Sequence, residues 1–313
     1  MATLRTGILV DTFDPVCVGH LDFCRDAMER KKLDRVVLAL SGGDSVPCGA
    51  SRADRWRMLV SACSAGKGFI PEDAGSSGVA SPEHKYRHDK LVILSLPDGI
   101  SRALCPSVSE YCSALGLYGA EPAVADAAAR VGRLFAALNP HRFAHSLSVA
   151  KTSRQLARRF GAGEKEAEEA GLFHDCAKCL PLPEMQRIAA ENRLTDNPDV
   201  LASGALLHSL AGAFLAEKEY GITDPEELLA IRYHNTGRAG MSRLAMCVCL
   251  ADYIEPNREP FPALEETRRL AAYSLEKALL LSLESTMAHV QSKGRFLHPW
   301  TAETVAWLRS LSS

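Results

Sequence analysis

Residues 171–178 read GLFHDCAK. Small and apolar residues lead directly into the adjacent pair His174 and Asp175, which sets a charged side chain into a stretch that otherwise belongs in a core. Asp252 repeats the pattern, following the apolar run 244–251 and preceding Tyr253 and Ile254. A carboxylate in such surroundings costs several kcal/mol unless it is paired or holds a cation. His145, His208 and His234 fall on or at the ends of three further segments of helical spacing. Six metal-competent side chains spread over five helices can meet only inside a bundle. Two poorly solvated carboxylates and several imidazoles are reconciled there by a divalent metal.

Outward from this stretch, segments 123–138, 145–160, 164–179, 199–219, 225–234, 240–254, 263–292 and 301–311 carry helical spacing, with Gly or Pro between most of them. This predicts an all-α bundle from about residue 121 to 313, with a boundary near 119–127. Upstream the pattern alternates. Strand-like runs at 7–10, 36–40 and 91–96 are interleaved with helix-like stretches after Gly19, at 52–63 and after Pro106. Short buried strands alternating with helices predict an α/β domain with a small parallel sheet over residues 1–120. Residues 66–90, rich in Gly, Ser and charge, read as a long loop.

The chain has 313 residues, enough for two domains with real cores, and its 47% hydrophobic and 24% charged content is that of a globular protein. A formal charge of -2 supplies no field to hold a polyanion, which sets nucleic acid aside as a partner. No apolar run near the motifs approaches the roughly 20 residues needed to cross a bilayer, and the first fifteen residues lack a signal-peptide core, so a cytoplasmic protein without a membrane partner is expected. Ten Cys are scattered without framework spacing. Cys176 and Cys179 form a C-x-x-C, but with neither a second such pair nor a preceding strand they read as ordinary thiols.

The order H...HD...D becomes more specific with its neighbours. HSLSVA (145–150), GLFHDCAK, LLHSLAGA (206–213), AIRYHNTGRAGMS (230–242), LADYIEPNR (250–258) and KGRFLHPWT (293–301) together resemble the bacterial HD-domain symmetrical bis(5'-nucleosyl)-tetraphosphatases, over residues 130–311. The resemblance implies an HD-type helical bundle and hydrolysis of diadenosine tetraphosphate to two ADP. It implies His145, His174, Asp175 and Asp252 as metal ligands, the metal being iron, with manganese or cobalt as alternatives. His208 and His234 match positions that face the nucleotide and serve catalysis, Arg142 and Arg258 match nucleotide contacts, and Arg295 lies in a region lining the nucleotide pocket. Lys178, shared with relatives, would orient Asp175 or a phosphate. A dinucleoside polyphosphate is the implied partner, and the resemblance allows a homodimer. Cys176 departs from the family pattern without replacing a ligand.

A divalent ion held by two His and two Asp keeps open coordination positions, polarises a phosphoryl oxygen and makes water a nucleophile at neutral pH. Arg142 and Arg258 supply planar counter-charge suited to phosphate oxygens. His208 and His234 would orient water, protonate a leaving oxygen or bind a second metal bridged by Asp175, and the sequence leaves these open. A broader nucleotide phosphohydrolase and a nucleotide sensor without turnover are the alternative readings of the same site.

At the other end, GILVDTFDPVCVGHL (7–21) resembles the first motif of the nicotinate-nucleotide adenylyltransferases, a strand leading into a phosphate-binding turn with an H-x-G-H signature. Cys17 stands at the first His, and Val10 and Asp11 stand where a glycine pair precedes the Thr. LCPSVSEYCSALGLY (104–118) is similar to the end of the same domain, but the intervening span is short and no intact I-S-S-T-x-x-R motif is present. The resemblance implies a degenerate nucleotidyltransferase-like Rossmann domain over residues 1–120, without adenylyl transfer.

Overall fold

Five consecutive residues of the run VVLAL, Val36 to Leu40, are fully buried, as a strand covered on both faces of a parallel sheet requires. The structure is a computed structural model that describes residues 3–42, 49–64, 66–74, 82–119 and 127–311. The chain divides into two units, Met1–Pro122 and Ala123–Ser313.

In the first unit β1 (Arg5–Asp11), α1 (Val18–Lys31), β2 (Arg35–Leu40), α2 (Arg52–Ser64), β3 (Phe69–Asp73), the short α3 (Pro82–Lys85), β4 (Lys90–Leu94) and α4 (Pro106–Leu115) follow one another. The sheet order is β3-β2-β1-β4. All its pairs are parallel, with Ile8 opposite Val37 on one side and Ile93 on the other. Arg55 of α2 is fully buried and donates to the carbonyl of Thr12 at 2.9 Å, just beyond β1.

Part of the stretch read as a loop, 66–90, is structured. Its β3 (FIPED) is an edge strand in which only Phe69 is buried, and Pro71 is tolerated because an edge strand need not donate from both sides. Such a strand shows neither an apolar run nor clean alternation.

The second unit contains no strand among the described residues. Its helices are α5 (Ala127–Ala137), α6 (Pro140–Phe160), α7 (Glu164–Phe173), α8 (Leu182–Asn192), α9 (Pro198–Leu201), α10 (Gly204–Lys218), α11 (Pro225–Tyr233), α12 (Arg243–Ile254), α13 (Pro262–Leu270), α14 (Leu275–Ser292) and α15 (Pro299–Leu311). α6 packs on α7 and α12, α10 on α11, and α11 and α7 on α12. Capping explains several boundaries. Asn139 accepts from the Arg142 amide to start α6, Gly161 ends it at φ 70, and Ser242 accepts from the Ala245 amide to start α12.

Three expectations are corrected. α8 falls between the expected helical segments, because nearly half of LPEMQRIAAEN is polar and only Met185, Ile188 and Ala189 are fully buried, against Val200, Leu207 and Ala211. The segments 199–219 and 263–292 are each two helices, broken before Ser203 and Ser274, which stand at the N-caps of α10 and α14. The segment 164–179 is helical only to Phe173, after which residues 174–179 form successive turns closed by Cys176 N–H to Phe173 O and Lys178 N–H to Asp175 O. No helix among the described residues is long and apolar enough to cross a membrane.

Candidate metal centre

The turn after α7 brings His174 and Asp175, both buried, toward α6, α10, α11 and α12. Close approach of α7 to α6 depends on Gly171, where a Cβ would lie 2.7 Å from Ser153 Oγ and 3.0 Å from Ala150 Cα. His145 comes from α6, His208 from α10, His234 from the C-cap of α11 and Asp252 from the last turn of α12.

These six side chains meet. His145 Nε2 lies 3.1 Å from Asp252 Oδ1 and 3.8 Å from Asp175 Oδ2, and His174 Nε2 lies 3.4 Å from Asp175 Oδ2 and 4.0 Å from Asp252 Oδ1. On the other side of Asp175, Oδ1 is 3.1 Å from His208 Nε2 and 3.7 Å from His234 Nε2. The structure therefore gathers all four expected ligands, with His208 and His234 beside them.

The backs of the rings decide what the fronts can do. His174 Nδ1–H donates to Gly171 O at 2.7 Å, His234 Nδ1–H to Ile231 O at 2.7 Å and His208 Nδ1–H to Gly204 O at 3.2 Å. A carbonyl can only accept, so in these rings Nδ1 carries a proton and Nε2 faces inward. His145 is backed instead by the buried carboxylate of Glu255, at 3.4 Å from Nδ1. Carboxylates behind histidine ligands orient the ring and raise its basicity.

A centre lined by lone pairs and carboxylates draws positive charge. Burial opposes a proton on His145, yet Asp252 and Glu255 push it up to about 9. Burial likewise opposes ionisation of Asp175, and His174, His208 and Lys178 hold it well below the usual carboxylate range. Burial together with His174 and His208 pushes His234 down to about 3, so it is neutral at physiological pH. His145 Nε2, His174 Nε2 and Asp175 Oδ1 are buried without a hydrogen-bond partner. The donor atoms of His145, His174 and Asp252 lie within 4.8 Å of one another, as do those of His174, Asp175 and His234. Two imidazoles and two carboxylates with unsatisfied atoms facing one point fit a divalent first-row metal.

A cavity of about 700 Å³ opens beside this cluster, with Arg142, Lys178, His234, Asn235, Asp252 and Arg258 in its wall. Arg142 donates to Asp175 Oδ2 at 2.8 Å, and Arg258 donates to Asp252 O at 2.8 Å and Oδ1 at 3.3 Å. His208, expected to face a nucleotide, is fully enclosed and does not line the cavity. Arg295 lines a neighbouring cavity of about 370 Å³ that shares Asn235 and Thr286 with the first.

The HD domain family matches residues 142–257, a span that contains all six of these side chains. A Bacillus subtilis protein named bis(5'-nucleosyl)-tetraphosphatase, symmetrical, is 42% identical over 178 residues, covering 55% of this chain and 92% of that protein. The chain belongs to the symmetrical bis(5'-nucleosyl)-tetraphosphatase family. Its relatives include a crystal structure from Clostridium acetobutylicum described as a predicted HD superfamily hydrolase involved in NAD metabolism, 40% identical with a TM-score of 0.57 over 59% of this chain and 97% of that one. A Mycoplasma genitalium protein named probable nicotinate-nucleotide adenylyltransferase/Ap4A hydrolase is 34% identical over 157 residues, 48% of this chain and 44% of that protein.

Within this tetraphosphatase-family chain, sequence reasoning passed over Glu255. Its signal was the one used for Asp252, an acid beside an apolar run, but it follows the helix end and precedes Pro256, where an acid ordinarily reads as solvated. Cys176 and Cys179 do not pair: the first is buried with its thiol toward Gly212 O at 3.3 Å, the second is exposed.

In the first unit, the turn read as a degraded phosphate site is closed by the chain itself. The Val18 and Gly19 amides donate to Ala103 O at 2.8 Å and Ser101 O at 3.2 Å, and the Cys17 amide donates to His20 Nδ1 at 3.1 Å. His20 Nε2 faces Asp11 Oδ2 at 3.0 Å and holds that carboxyl below its ordinary range. The first amides of a helix are what an anion would use. Three are already engaged, next to a carboxylate.

Proposed function

We propose that the second unit hydrolyses diadenosine tetraphosphate symmetrically to two ADP at a divalent-metal centre, with iron as the metal and manganese or cobalt as substitutes. The observation that carries this reading is the convergence of the donor atoms of His145, His174, Asp175 and Asp252 within one cluster. The family relationship supports the substrate and the symmetry of cleavage. A metal held there supplies Lewis acidity toward a phosphoryl oxygen and an activated water.

The protein's own groups divide the remaining work. Arg142 and Arg258 line the cavity and bind the polyphosphate oxygens through planar donor pairs. His234, neutral and with its Nδ1–H engaged, presents a lone pair that orients the attacking water and accepts its proton. It has no proton to give from that nitrogen, so Lys178, on the same wall, is the donor toward the departing ADP oxygen. Arg295, in the adjoining cavity, contacts the nucleotide end remote from the metal. His208 is enclosed beside Asp175 and stays out of contact with the substrate.

Product chromatography after incubation with diadenosine tetraphosphate tests this. ADP as the sole adenine product supports it, whereas AMP with ATP, or free phosphate, overturns it.

Residues 1–120 form, in this reading, a degenerate nucleotidyltransferase-like domain. The occupied helix amides and Asp11 support the loss of triphosphate binding. Incubation with ATP and nicotinate mononucleotide should release no pyrophosphate, and release would refute the assignment. The nine described cysteines are all free, which fits a reducing cytoplasm.

A further inference from the structure

We propose that the free edge of β4 is a docking site for an extended segment of a partner protein in which Asp or Glu alternates with apolar residues. The site lies in the first unit and does not depend on the metal centre.

The sheet has two edges, and they differ. At β3, Val36 N–H donates to Gly68 O at 2.8 Å, which by the alternation of a parallel ladder places Pro71 among the residues whose backbone faces outward. Pro71 has no N–H to offer there, and the acids beside it, Glu72 and Asp73, are engaged by Lys85 and Arg52. β4 carries no such guard. Lys90 N–H donates to Leu4 O at 2.8 Å, so Leu91 and Ile93 turn their N–H and C=O away from β1. Among the described residues no strand lies there to receive them.

The two faces of this edge specify the occupant. Ile93 stands opposite Ile8 and shares its face with Val10, and Ile93 is 59% and Val10 46% exposed. Apolar side chains of an added strand would cover them. On the other face Val92 lines a cavity of about 380 Å³ together with Arg5, Arg30, Lys31 and Lys32. Arg30 pairs with Asp26, whereas the side chains of Arg5, Lys31 and Lys32 have no carboxylate partner among the described residues. Successive residues of a strand point to opposite faces, so an occupant that satisfies both alternates apolar with acidic side chains and adds its backbone to Leu91 and Ile93. A second copy of this chain fits less well. Two β4 edges paired about a two-fold axis would bring both basic clusters together.

The test follows amide hydrogen exchange and fluorescence anisotropy of the full chain with a short labelled peptide that alternates Glu with Val, and with its Lys-for-Glu counterpart. We expect the Glu peptide to slow exchange within residues 90–94, where the Leu91 and Ile93 amides gain acceptors. At low salt it should bind about tenfold more tightly than the Lys peptide, and the difference should fade at high salt. Lys31→Glu combined with Lys32→Glu should erase the preference. Ile93→Pro, which deletes an outward donor and no bond to β1, should abolish the protection. Ile93→Thr keeps a β-branched residue at an exposed position, so it should weaken binding with an unchanged circular dichroism spectrum, and it decides the matter if the Pro variant does not fold. No binding, equal binding of the two peptides, protection outside residues 90–94, or full binding by folded Ile93→Thr overturns the proposal. A dimer of the peptide-free chain in sedimentation velocity that Ile93→Thr dissolves overturns it too, by giving the edge to a second copy.

Discussion

Replacing Glu255 by Gln removes one charge behind His145 and one of the two acceptor oxygens that face His145 Nδ1 and the Asn257 amide. The Gln side chain has the same shape, and the residue is held from outside by Arg268, which donates to its carbonyl at 2.7 Å. Carboxylates in this position typically contribute 10- to 100-fold to metal affinity, by the general range for groups behind a ligand. The Nδ1 to Oε1 separation of 3.4 Å exceeds the usual upper limit of about 3.2 Å, which puts the expected loss at the low end, about tenfold or about 1.4 kcal/mol. Protonation changes what is observed. At neutral pH a metal must displace the proton that Asp252 and Glu255 hold on His145, pushed up to about 9. Glu255→Gln weakens that proton as well as the metal. The deficit should therefore be largest at the alkaline end, about fivefold near pH 9, and shrink toward pH 7. Competitive titration of apo protein with Mn²⁺ against a chelator, at both pH values, measures it. An unchanged affinity near pH 9, or a deficit larger at pH 7, would contradict this role for Glu255.

Other substitutions probe the site and its scaffold. Asp252→Ala should abolish both turnover and metal retention while the helical circular dichroism spectrum persists, because a ligand with 24% of its side chain exposed is lost rather than a packing residue; retained hydrolysis contradicts the assignment. Gly171→Ala should lower stability by about 1–3 kcal/mol, the usual cost of overpacking, since its Cβ would press on Ser153 and the α6 backbone; an unchanged denaturation midpoint would show that α6 and α7 can separate freely. Glu227 is pushed by burial, and by Glu169, Asp224 and Glu166, from 4.5 up to about 8. The folded state thus keeps a proton that the unfolded chain releases, so stability declines as pH rises from about 4.5 to about 8. Glu227→Gln should flatten that decline in Tm, and an equally steep profile would exclude Glu227 as its source.

What could be read from the sequence follows from which residues carry a cost. Asp175 and Asp252 stand in apolar runs where a lone carboxylate is expensive, so their need for partners was visible before any coordinates. The run VVLAL likewise shows a strand buried on both faces. β3 and α8 leave no such mark, because each fully buries few of its residues: FIPED buries Phe69 alone, and LPEMQRIAAEN only Met185, Ile188 and Ala189. The Nδ1 partners Gly171, Gly204 and Ile231 act through backbone carbonyls, which every residue has, so no side-chain pattern marks them. Ending α7 at Phe173 was equally hidden, although those turns let His174, Asp175 and Lys178 all point into the site.

Anomalous diffraction at the metal absorption edge, on crystals of anaerobically loaded protein, addresses the centre directly. We expect a peak between His145, His174, Asp175 and Asp252. A peak elsewhere in the chain, or none between those four side chains, would contradict it.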